Sequence, residues 1–207
     1  MPNQSGSIYG LTILSPIRHD PHAQVSHSLA IRIFLRDLPV DSSGPFGKVS
    51  STHMARLVVL DDVVYFGMPS CEEHLKSKYL IFESNFDGDL DTYLRRLAEE
   101  ASDEVDGIWQ HCIGYPGVDD VAAFIAYMKR CQVDTTFYFA DVNDKTVQQT
   151  LTALQTQSAV ASFIEKHQGQ PPEHLQQAFL KFTEHLHQAP SPRPGSSRGK
   201  EFTDKLL

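Results

Sequence analysis

The chain has 207 residues, 41% hydrophobic and 21% charged, with 26 acidic against 18 basic side chains and a formal net charge of −8. That composition is globular rather than disordered or fibrous, and it excludes a phosphate-reading surface, which needs clustered Lys and Arg. No apolar run approaches the ~20 residues of a membrane span, and the length suits one domain with appendages better than two domains.

The opening MPNQSGSIYG has neither the basic start nor the apolar stretch of a targeting sequence, and Cys71, Cys112 and Cys131 form no CxxC pair. A cytoplasmic protein with reduced thiols is expected. Residues 9–14 (YGLTIL) read as a short strand stopped by Ser15-Pro16. Residues 22–38 carry both alternating and helical spacings, and their length favours a helix. A loop follows at 41–51, then a strand at 53–60 (HMARLVVL), a second loop, and a strand at 79–86 (YLIFESNF). Asp87-Gly88-Asp89 turns the chain into a helix with Leu90, Leu94, Leu97, Ala101, Val105 and Ile108 on one stripe, its acids suited to the positive end of the helix dipole. Gly114-Tyr115-Pro116-Gly117 breaks it.

A shorter helix carries Val121, Phe124, Ile125 and Met128. Residues 135–140 (TTFYFA) read as the last core strand, and Asn143 or Asp144 is placed to cap a helix bearing Val147, Leu151, Leu154 and Ile164. The Gln/Gly/Pro punctuation near 168–172 leads to a small amphipathic helix. From Ala189 the Pro/Ser/Gly-rich tail is expected to be disordered. The divisions are therefore a domain at 1–168, an appended helix at 169–188 and a tail at 189–207. The order strand, helix, strand, strand, helix, strand predicts a ferredoxin-like α+β fold: a four-stranded antiparallel sheet, spatial order 4-1-3-2, with helices on one face, one helix inserted and more appended.

Period-two alternation sorts the side chains. Ala55, Leu57 and Val59 share one face with Leu80, Phe82 and Ser84. Arg56, Glu83, Asn85 and Tyr138 go to the uncovered face, while Phe137 and Phe139 suit the core. An Arg fork beside a carboxylate and a Tyr can orient a small carbonyl or acidic ligand; equally, Arg56 and Glu83 can form a structural cross-strand ion pair. His53 starts its strand near Asp87, where the two can act as a general base or simply close a turn. His53, Arg56 and Tyr138 are the catalytic candidates, and Glu83, Asn85 and Asp87 the cofactor-holding ones. The cofactor itself is not specified, and no metal site is expected. His111 and Cys112 at a helix end read as structural, His being favoured there by the dipole.

Thr52-His53-Met54-Ala55-Arg56, Glu83-Ser84-Asn85-Phe86-Asp87-Gly88, His111-Cys112 with Gly114-Tyr115-Pro116-Gly117, and Lys145-Thr146-Val147 together resemble a group of bacterial ferredoxin-like domains. That group is similar in architecture to the dimeric α+β barrel superfamily, which includes dye-decolourising haem peroxidases, chlorite dismutase relatives and small monooxygenases. The resemblance spans residues 9–167 and implies the fold and a homodimer more than a chemistry. The peroxidase signature is a GxxDG loop, and Asn85-Phe86-Asp87-Gly88 lacks its first Gly. The expectation is a homodimeric ligand-binding or interaction module with a small pocket on the open sheet face. Two alternatives stand beside it: an oxidoreductase, haem-dependent or cofactor-free, acting on a small organic molecule, and a protein-association role for the C-terminal helix and tail.

Overall fold

The computed structural model describes residues 3–68 and 73–195. Cys71 and the tail from 196 onward lie outside the described residues. Three long strands are where alternation puts them: β2 (Ile8–Pro16), β3 (Thr52–Leu60) and β4 (Tyr79–Asp87). With a short β1 (Gln4–Ser5) they form a four-stranded antiparallel sheet in the order β1-β2-β4-β3. Seven helices among the described residues complete a mixed α+β fold, and the sheet order is compatible with the ferredoxin-like succession.

One sheet face is packed. Leu11 and Ile13 of β2, Leu80, Phe82 and Phe86 of β4 and Val59 of β3 are buried there. Their covering comes from α1 (His27–Asp37), α3 (Leu90–Glu100), α4 (Ser102–Trp109) and α5 (Val121–Cys131), which add Ile31, Leu94, Leu97, Ile108, Trp109, Phe124 and Met128 to one continuous core. Aromatic rings organise its centre. Phe86 stacks on Tyr93 at 3.7 Å, and Phe82 meets Trp109 edge-on at 5.3 Å. The Tyr93 hydroxyl, deep in this core, is satisfied by Ser84 Oγ at 2.8 Å and lies 3.3 Å from Thr52 Oγ1. The core arises because each strand offers an uninterrupted apolar row on one side, and burying it is the main driving force available.

Three expectations are corrected. Residues 135–140 form no strand. Gln132 bridges Ile13 and the Val133 amide donates to Thr12 O, so the segment starts along the edge of β2. Beyond that point the edge is already taken by β1, folded back on β2 through the Gly6-Ser7 turn, where Gly6 has φ +60°. A two-residue hairpin closes with far less entropy loss than a strand arriving 120 residues later. The displaced segment becomes a strap. Its ends are tied by Thr135 N donating to Asn3 Oδ1 and Ser7 N donating to Asn143 O. Phe137 and Phe139 consequently stand 84% and 71% exposed instead of entering the core.

The expected single helix over residues 90–108 is broken at Ala101, whose φ/ψ of −137°/37° separates α3 from α4. The last long helix, α6 (Val147–His167), is capped by Thr146 in a reciprocal capping box with Gln149, the arrangement that satisfies two free amides at once. Asn143 instead serves the hairpin: its side-chain amide donates to Ser5 Oγ. α7 (Pro172–Gln188) packs back on α6 through Ala159, Phe163 and Phe182, a cluster separate from the main core. Residues 189–195 run irregularly, with Pro194 buried beside the loop that precedes the one-turn helix α2 (Pro45–Lys48).

Candidate functional site

The six residues singled out above fall on the uncovered side as three pairs, two between β3 and β4 and one between the strap and β4. Glu83, Asn85 and Asp87 are alternate residues of β4 and so project to one side. Arg56 is the register partner of Glu83 in β3. Its Nε donates to Glu83 Oε2 at 2.9 Å, and Nη2 makes a second bond to the same oxygen. Tyr138 reaches in from the strap. Its ring lies flat over Gly10, where any side chain would put a Cβ 2.7 Å from the ring, and its hydroxyl donates to Asn85 Oδ1 at 3.3 Å. Burial raises the Tyr138 hydroxyl above its ordinary pKa, which keeps its proton in place as a hydrogen-bond donor.

The third pair depends on a bulge. β3 and β4 are in regular register from Met54 onward, but Thr52 pairs with Phe86 and Met54 with Asn85, so His53 is an extra residue in β3. The bulge turns His53 to the same side as Met54. There His53 Nε2 lies 2.7 Å from Asp87 Oδ1, while Asp87 Oδ2 accepts the Val147 amide at 2.8 Å. Asp87 thus joins the end of β4, the bulge of β3 and the first turn of α6.

The chemistry left open by this arrangement differs among the three pairs. Arg56 spends two donors on Glu83, and Tyr138 spends its proton on Asn85. The ion-pair reading of Arg56 and Glu83 is therefore the one the geometry takes, and these four residues do not line a described cavity. His53 does: it lines a groove of about 450 Å³ at the free edge of β3, between the end of α1, α2 and the start of α6. Among the described residues, no three His, Cys, Asp or Glu side chains stand together as metal ligands.

A further polar pair was not legible as such in the sequence. His111 closes α4, and its Nδ1 is 2.9 Å from Nδ1 of His27 at the first turn of α1. Arg18 sits beside them, donating to the carbonyls of Cys112 and Gln110. The His111 ring is held below its ordinary pKa by burial, by His27 and by Arg18. Gly10 had a usable signal: a glycine inside a strand points to a close approach by something else.

Fold and site together define a small α+β domain with a polar but internally paired sheet face and the His53-Asp87 pair beside a groove. Comparison with protein-family models, with curated proteins and with solved structures gives no match for this chain.

Proposed function

We propose that this chain is a small-molecule-binding module that works as a homodimer, two copies meeting through the uncovered sheet face. The observation that carries this reading is the internal pairing of Arg56 with Glu83 and of Tyr138 with Asn85, next to the exposed Met54 and Val58. Covering such a face strands no lone charge, the main cost of burying polar surface. The face also carries both signs of charge, which a two-fold axis can set against each other where one patch meets its own copy. The strap adds Phe137 and Phe139 on its outer side, apolar area that a monomer gains nothing by exposing. The resemblance to the dimeric α+β barrels points the same way, since there a second subunit covers the sheet.

Sedimentation velocity on the full chain tests the dimer. The unaltered protein is expected to sediment as a dimer at micromolar concentration. Val58→Glu puts an unpaired carboxylate on the buried face and is expected to weaken association by about tenfold or more, because a lone buried charge costs several kcal/mol. A strict monomer at high micromolar concentration overturns the dimer reading.

A further inference from the structure

The groove at the free edge of β3 has a chemistry of its own. It is walled by aliphatic and aromatic side chains, among them Leu38, Phe46, Leu57 and Leu151, and its volume of about 450 Å³ is that of a small-molecule site. Its titratable lining residues are His53 and Asp41. The Asp41 carboxylate is turned to its own loop, accepting from the amide and hydroxyl of Ser43. His53 is the side chain that can address a ligand.

The hydrogen bonds around Asp87 set the polarity of that ring. A carboxylate only accepts, so in the neutral imidazole the proton sits on Nε2, facing Asp87 Oδ1 at 2.7 Å. Nδ1 is then a lone-pair acceptor, and no described residue donates to it. Asp87 is itself fixed through the Val147 amide, so the ring is held from behind. An acceptor at the border of an apolar groove selects a ligand that brings a hydrogen-bond donor. An anionic ligand is disfavoured, because Asp41 lines the groove and Asp87 stands directly behind His53 in a chain of net charge −8.

We infer that the groove binds a small neutral, apolar alcohol or phenol, its hydroxyl donating to His53 Nδ1 and its hydrocarbon body lying against Leu38, Phe46, Leu57 and Leu151. The inference rests on the ligand-binding half of the reading above and is independent of the dimer, since every residue of the groove comes from one chain.

The test uses three probes of one shape on the full-length protein, followed by isothermal calorimetry: 2-naphthol, naphthalene and 2-naphthoate. Naphthol is expected to bind best, with naphthalene about tenfold weaker, the worth of one hydrogen bond to a fixed acceptor, and naphthoate weakest. His53→Phe keeps an aromatic ring but removes the acceptor, and it is expected to bring naphthol down to the level of naphthalene. Leu151→Trp fills the groove and should remove binding of all three while leaving the thermal transition in place. Equal binding of naphthol and naphthalene, undiminished naphthol binding in His53→Phe, or no binding of any probe overturns the inference. Sedimentation and titration of the same unaltered protein separate the two readings: a strict monomer that binds naphthol sinks the dimer alone, and a dimer that binds no probe sinks the groove alone.

Discussion

At the scale of single residues, Gly10 and Tyr138 make the sharpest case. The ring occupies the space where a β-carbon at position 10 would sit, 2.7 Å away, so the two positions are one unit. Gly10→Val should expel the ring, break its bond to Asn85 and lower stability by about 1–3 kcal/mol, the usual cost of forcing extra volume into a packed site. Urea denaturation checks this. In Tyr138→Ala the same Gly10→Val change should cost far less, a non-additivity that identifies direct contact. Arg56→Ala, by contrast, should cost less than about 1 kcal/mol, because the guanidinium is 64% exposed and screened by water. Cys112 is fully buried, and its thiol is pushed up to about 12, first by burial and then by the neighbouring Cys131. It should resist alkylation at pH 8 in the native protein and react once the chain is unfolded in urea.

At the scale of elements, the first turn of α1 and the turn that follows α4 share one proton between two imidazoles. Two Nδ1 atoms 2.9 Å apart can be one donor and one acceptor, never two donors. His111 has a proton affinity in the fold below its ordinary value of 6.5, so between that value and the lowered one the unfolded chain binds more protons than the native chain. Stability therefore rises with pH through this window and falls as pH drops below about 6.5. His111→Gln should flatten this part of the stability-against-pH curve measured by urea titration. The same region shows why some elements were legible and others were not. β2, β3 and β4 announce themselves by alternation, and every alternating residue assigned to a face in β3 and β4 lies on that face. TTFYFA alternates too, but alternation is silent about a competitor for the same edge, and the local β1 hairpin took it. The break at Ala101 has no Gly or Pro to mark it, and the Thr146 capping box lay three residues beyond the more conspicuous Asn143.

At the scale of the whole molecule, the core and the α6–α7 hairpin are separately supported. The hairpin relies on Ala159, Phe163 and Phe182, and it leaves Leu154, Ile164 and Phe179 about half exposed. Native-state hydrogen exchange should find the slowest amides in the middle of β2 and β4 and much faster ones along α7, since local opening costs least where few apolar contacts are lost. Arg56, Glu83 and Asn85 were legible as occupants of one sheet face because period two is a rigid rule, whereas His53 reaches that face only through the bulge and Tyr138 only from the strap. Their pairing was not legible, because it depends on side-chain reach across strands and on a strap whose path the sequence does not encode locally.

The extra residue in β3 separates scaffold from chemistry. Thr52 still meets Phe86 and Met54 still meets Asn85, so the ladder loses little by making room for one imidazole. A chain shortened by that residue would zip into an even ribbon with the same hydrophobic interior. Only the contact with Asp87, and the imidazole it holds beside the groove, would go. Architecture and recognition in this protein can thus vary independently, by the insertion or removal of a single amino acid.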